Sequence, residues 1–170
     1  MKKIFYSLTA VLLYACATTM SLQNAKADLP LAKIEKDKII CIVNVGDGVF
    51  NGKIYTGSGL SVLNSFTANL QMFASKAVTV DSKNYDEEAK QMNAAYVVKP
   101  VITHWEPRAA SWSGRPTRVE ISVSVFDVIQ NKSVINTNLS VKGRSMTFVN
   151  QSAEALANEL IKQFVKDITE

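Results

Sequence analysis

The residue types with the widest chemical reach in this 170-residue chain crowd into one stretch, His104 to Arg118. It contains the only histidine, both tryptophans (Trp105 and Trp112), Glu106, and three arginines, Arg108, Arg115 and Arg118. An imidazole can move a proton at neutral pH, and an indole face can stack on a sugar ring or a guanidinium. An arginine fork can grip a carboxylate with two hydrogen bonds. Hydrolytic chemistry needs a nucleophile, a base and an orienting group in one cleft, and His104 stands alone as an imidazole base. A zinc site needs three or four ligands, which one histidine and one internal cysteine do not supply. No catalytic residue, metal or cofactor is therefore expected. Two readings of the stretch stay open. In one, Trp105, Glu106, Arg108, Trp112, Arg115 and Arg118 form a partner-binding surface, suited to peptidoglycan, lipopolysaccharide or an acidic protein face. In the other, the two indoles cover an end of a sheet while Glu106 neutralises Arg108, Arg115 or Arg118 across a hairpin.

A second candidate is the glycine-rich run from Gly46 to Gly59, which holds five of the seven glycines. A strand passing through glycines into a helix start can cradle a phosphate on free backbone N–H groups. Here no G-x-x-x-x-G-K-[ST] motif is present, Gly57-Ser58-Gly59 lacks a third glycine, and no lysine follows to reach a phosphate. The simpler reading is a capped helix entry with Thr56 or Ser58 as N-cap.

These stretches need elements to hold them. Ile39 to Val45 is a continuous β-branched run, as expected of a strand covered on both faces. Leu63, Phe66, Leu70 and Phe73 mark one face of a helix, and Ala77 to Val80 is a short strand. A second helix spans Tyr85 to Asn93, with Asp86, Glu87 and Glu88 in its first turn and Tyr85, Ala89 and Met92 on its apolar face. Tyr96 to Ile102 is a strand in which Pro100 predicts an edge or a bulge. Val119, Ile121, Val123 and Val125 alternate with polar residues. After a turn at 130–133, Ile135, Leu139 and Val141 do the same, which predicts a hairpin. Beyond a connection containing Met146, Phe148 and Val149, Ser152 opens a helix whose apolar residues run from Ala153 to Ile168 at three-four spacing. The order β-α-β-α-β-β-β-α predicts an α/β (α+β) sandwich: a mixed sheet of about five strands with helices packed on it, in one domain over 39–170.

The amino-terminal segment reads as an export signal: Lys2 and Lys3, then an apolar run from Ile4 to Ala15 too short to span a bilayer. Leu13-Tyr14-Ala15-Cys16 resembles a lipobox, which makes 1–15 the signal peptide, Cys16 the lipid-attachment residue and 16–38 a tether. Tyr14 is unusual at its position, and Ala25-Lys26-Ala27 offers an alternative cleavage after Ala27. Loss of Lys2 and Lys3 takes 19 basic residues to 17, against 15 acidic. A domain this close to neutral is not built for nucleic acid. Cys41 lies in an apolar run and has no disulfide partner.

The lipobox, Tyr55-Thr56-Gly57-Ser58-Gly59 before a helix, Ala94-Ala95-Tyr96-Val97-Val98-Lys99-Pro100, and His104-Trp105-Glu106 through Trp112-Ser113-Gly114-Arg115-Pro116 together resemble a family of small bacterial lipoproteins of unknown function. The element order resembles the periplasmic α/β domains of the TolB amino-terminal and CsgG type. Ala17 after the cysteine is not the aspartate that retains enterobacterial lipoproteins in the inner membrane. The resemblance implies an outer-membrane protein facing the periplasm, acting as a non-enzymatic accessory or binding module for an envelope protein or glycan. The alternative is a soluble exported enzyme or small-ligand carrier using the glycine-rich loop and His104.

Overall fold

The computed structural model describes residues 19–24, 31–107, 115–143 and 151–170. Among these residues eight strands and three helices follow in chain order: β1 (Thr19–Asn24), β2 (Ile39–Val43), β3 (Gly48–Phe50), β4 (Lys53–Tyr55), α1 (Ser58–Gln71), β5 (Lys76–Val80), α2 (Tyr85–Gln91), β6 (Tyr96–Glu106), β7 (Arg118–Asp127), β8 (Lys132–Lys142) and α3 (Ala153–Thr169). The main sheet has six strands in the order β1-β8-β7-β6-β2-β5, and β3 and β4 make a separate hairpin. The pairs β2–β5 and β2–β6 are parallel and the others antiparallel, so the sheet is mixed, with the helices packed on it as the α/β sandwich predicts.

The two faces of the sheet have different fates. Ile40, Ile42, Val98, Ile121 and Leu139 face α1 and α3, and all are fully buried with Phe66, Leu70, Leu160 and Phe164. The rings of Phe66 and Phe164 meet edge-on, with centroids 6.1 Å apart, where the two helices touch. Burial of each such ring contributes about 1.5–3 kcal/mol, and their edge-to-face contact about 0.5–1.5 more. On α3 the buried residues are those that the three-four spacing marks, and Ser152 Oγ accepts from the Ala155 N–H at 3.1 Å as the expected cap. The opposite face is covered only in part. Cys41, Val43 and Val97 pack under the short helix α2 around Ala89, with Tyr85 and Met92 beside it. Beyond α2 this face carries Ser122, Ser124, Asn136 and Asn138, with Val101 exposed among them.

Two expectations need correction, and a third is met. The stretch read as a tether contains β1, which pairs antiparallel with β8 over six positions, Thr19↔Lys142 to Asn24↔Thr137. An unsatisfied β8 edge offers six residues of backbone hydrogen bonds, enough to order a segment with little periodicity of its own. The glycine-rich run is not a plain loop: it folds into the β3–β4 hairpin around Asn51-Gly52, both at positive φ (50° and 74°). Asn-Gly between two short apolar runs is the sequence signature of that turn. The edge expected at Pro100 is present: β6 pairs with β2 only from Tyr96 to Val98, so from Lys99 onward, Pro100 included, that side of the strand faces no β2 residue, and a register shift with β7 follows between Ile102 and His104. Cys16, the signal segment, the Ala27 cleavage position, Arg108, Trp112, Met146, Phe148 and Val149 lie outside the described residues.

Candidate functional site

The far end of β6 is where the sequence-marked residues converge. Trp105 is the anchor: it is 1% exposed, inside the main core with Val119 and Val141. Gly48 of β3 lies directly on it. A Cβ at that position would stand 2.5 Å from Trp105 Cβ and 2.9 Å from Ile102 Cγ2, so only glycine lets the β3–β4 hairpin close down on β6. Trp105 therefore supports the surface from beneath and offers no face to a partner.

On the other side of β6 the polar groups form pairs. His104 Nε2 lies 3.1 Å from Glu106 Oε2, a hydrogen bond in which the ring donates to the carboxylate. The Phe50 ring meets the imidazole edge-on at 5.1 Å, so the hairpin reaches this face as well. Arg118 donates to Glu120 on β7. Backbone register sets Glu106 opposite Arg118 and His104 opposite Glu120, which makes one patch of four side chains. Between Glu106 and Arg118, which face each other across the hairpin, the ion pairs run along the strands instead. Glu106 is paired along its own strand with His104, and Arg118 along its own strand with Glu120. Residues two apart on a strand share a face, and that sharing makes both pairs possible. Arg115 is exposed at the rim, and buried Thr117 donates to the Gln151 carbonyl at 3.0 Å, tying the start of β7 to the approach of α3. Beside the patch the hairpin exposes a cross-strand apolar pair, Val49 (51%) and Ile54 (62%).

Chemically the patch is a set of satisfied charges beside apolar surface. Among the described residues the imidazole is bonded to Glu106 and to no hydroxyl or thiol. No three His, Cys, Asp or Glu side chains gather among those residues as a metal-holding group.

The glycine-rich segment resolves differently from its sequence reading. The N-cap of α1 is Gly57, at φ 90°, with no side-chain bond of its own. Asp47 does the capping from ten residues upstream: its Oδ1 accepts from the N–H groups of Gly57 (3.0 Å) and Gly59 (2.9 Å). Ser58 Oγ accepts from Gly48 N–H at 2.8 Å and donates to the Tyr55 carbonyl at 2.6 Å. A Cβ on Gly59 would stand 2.3 Å from the Val45 carbonyl oxygen, so the helix start is pressed against the end of β2. The N–H groups that would cradle a phosphate are already turned to an internal carboxylate. Sequence reasoning missed Asp47 because a cap from that distance leaves no local spacing signal.

Comparison with known proteins agrees with the architecture. The structure resembles the PelC dodecamer from Paraburkholderia phytofirmans, with a TM-score of 0.68 and 14% identity, covering 90% of this chain and 98% of that chain. It also resembles a Xanthomonas campestris protein of the DUF330 family, with a TM-score of 0.50 and 10% identity over 81% of this chain and 83% of that chain. A lipoprotein from Neisseria meningitidis matches at a TM-score of 0.47 and 14% identity, over 77% and 97%. At these identities the likeness is one of fold. No curated protein is significantly similar in sequence. No helix among the described residues is long and apolar enough to cross a membrane. The model of the domain of unknown function DUF4823 matches residues 32–168, four-fifths of the sequence, and the chain belongs to that family.

Proposed function

We propose that the chain is a lipid-anchored outer-membrane protein facing the periplasm, held through Cys16, and that it works without catalysis as a binding module. The observation that carries the anchor is β1. Cleavage after Ala27 would discard a strand that pairs with β8 over six residues. Cleavage before Cys16 keeps that strand and places the lipid three residues from its start. Three residues span at most about 11 Å, so the domain is held close to the lipid surface rather than on a long tether.

Partner binding belongs to the patch at the end of β6. Paired charges (His104–Glu106, Arg118–Glu120) next to the exposed Val49–Ile54 pair give the mixture of apolar and polar surface found in protein interfaces, so an envelope protein is the partner class it suits. Trp112, Arg108 and Arg115 border it in sequence. One such partner is a second copy of the chain, because the PelC protein of the same fold is a dodecamer.

Labelling cells with a palmitate analogue tests the anchor: label on the wild type and none on Cys16→Ala is expected, and an unlabelled wild type would end the reading. Cross-linking followed by affinity capture from envelope extract tests the patch. Ile54→Asp and Arg118→Glu should each reduce recovery of the wild type's partner severalfold, and undiminished recovery by both would remove this surface from consideration. Light scattering of the purified protein separates the self-partner case, in which the same two substitutions lower the measured mass.

A further inference from the structure

The cavity on the polar face of the sheet, at the edge of α2, lies away from the patch described above. It has a volume of about 260 Å³ and is bordered by Tyr85, Asp86, Lys99, Ser124, Phe126 and Asn136. Its central group is Lys99. The ammonium donates to Tyr85 Oη at 2.9 Å and lies 4.3 Å from the centre of that ring. It forms no ion pair with a carboxylate among the described residues. An ammonium has three donors and the phenol takes one, so a half-buried cation keeps two donors for a ligand.

Its surroundings specify what that ligand carries. Lys99 stands opposite Ser124, and Ser124 opposite Asn136, so three adjacent strands present an ammonium, a hydroxyl and a carboxamide in one row across the face. Strand spacing sets their backbone positions about 4.8 Å apart, so a single ring-sized ligand lying across the row can reach all three. Tyr85 and Phe126 add apolar wall, the complement of the C–H face of such a ring. Asp86, exposed at the rim, accepts hydroxyl donors and repels a second negative charge on the ligand. One cation, one rim carboxylate and neutral donors select against polyphosphates and in favour of a single anionic group on a hydroxylated ring.

We propose that this cavity binds a sugar acid, with Lys99 holding the carboxylate, Ser124 and Asn136 the hydroxyls, and Phe126 the apolar ring face. The polar face continues past the cavity as Ser122 opposite Asn138 and Glu120 opposite Ser140, a track along which a glycan could run from the bound unit. The shared chemistry is the carboxylated ring, free or as the end of a chain.

Calorimetric titration of the purified protein with D-glucuronate, D-glucose, inorganic phosphate and a hyaluronan tetrasaccharide decides it. Glucuronate should bind with roughly tenfold or greater preference over glucose, which lacks the charge, and over phosphate, which lacks the ring. Lys99→Met keeps the stem and should weaken binding by about tenfold or more. Asn136→Ala, at an exposed position, should weaken it severalfold, and Lys162→Met, on α3 across the sheet, should leave it unchanged. Tighter binding of the tetrasaccharide than of glucuronate identifies a glycan as the source, and equal binding a free sugar acid. The proposal is overturned if neither carboxylated ligand binds at millimolar concentration, or if phosphate binds as well as glucuronate. Retention of full affinity by Asn136→Ala and by a folded Lys99→Met also overturns it. Should Lys99→Met fail to fold, Asn136→Ala decides alone.

Discussion

Asp47 shows what a single side chain can do that its neighbours in sequence do not reveal. Its carboxylate satisfies two N–H groups at the positive end of α1, a site that local rules assign to Thr56 or Ser58. Ser58 is buried and bonded, but it fastens the hairpin to the helix instead of capping it. Replacing Asp47 with alanine removes one acceptor from two donors, and the expected loss is about 1–2 kcal/mol in urea unfolding, with Asp47→Asn losing less. An unchanged midpoint for Asp47→Ala would mean that water caps the helix equally well. Cys41 was legible as a buried thiol because its run is apolar on both sides, and it is fully buried. Burial, with a smaller contribution from the Glu88 carboxylate, pushes its pKa above the ordinary 9.0. The folded state then holds the thiol proton at pH values where the unfolded state releases it. The associated stability is present below about pH 9.0 and falls as pH rises beyond it. Thiol-directed reagents at pH 8 should accordingly label Cys41 only in denaturant. Prompt labelling of the native protein would contradict the burial.

At the level of elements, legibility followed periodicity. α3 and the β7–β8 hairpin were read from sequence because one face of each is apolar over ten residues or more, and the structure buries those faces. The β3–β4 hairpin was missed because its strands are three residues long, too short for a period to register, although Asn51-Gly52 carried the turn. Of the candidate site, the location was legible and the arrangement was not. His104, Glu106 and Arg118 do share one patch, but Trp105 points the other way, because adjacent residues on a strand alternate faces. β1 escaped for a physical reason too: what orders it is the free edge of β8, more than a hundred residues away in sequence. That dependence makes a direct comparison possible. A chain starting at Asp28 should unfold at lower urea than one starting at Ala17, by an amount on the order of 2–3 kcal/mol for six lost cross-strand pairs. It should also be the more prone to self-associate through the bared β8 edge. Coincident unfolding curves would show that β1 adds nothing to the fold and would withdraw its support for cleavage at Cys16.

For the molecule as a whole, the proposed anchor at Cys16 would determine what the sheet presents to the membrane. Thr19 pairs with Lys142, Lys142 with Arg118, and Arg118 with Glu106, so the end of the sheet nearest Cys16 is also the end that carries the charged patch. The β7–β8 turn, where Ile129 is 80% exposed, lies at the opposite end of β8. Eleven strand residues separate the two ends, about 35 Å at the rise of a β-strand. A domain held by lipid within a few residues of Thr19 should therefore stand with Lys142 near the headgroups and Ile129 out in solution. Fluorophores on Lys142→Cys and Ile129→Cys, each in the lipidated protein with Cys41 shielded by burial, would report this in vesicles containing headgroup-quencher lipids. Strong quenching is expected at position 142 and little at 129. Equal quenching would mean that the sheet lies flat or tumbles, and the patch would then have no fixed relation to the membrane. The graded result would narrow the proposed partners of the patch to molecules reachable within a short distance of the lipid surface, and would leave the cavity beside α2 facing away from it.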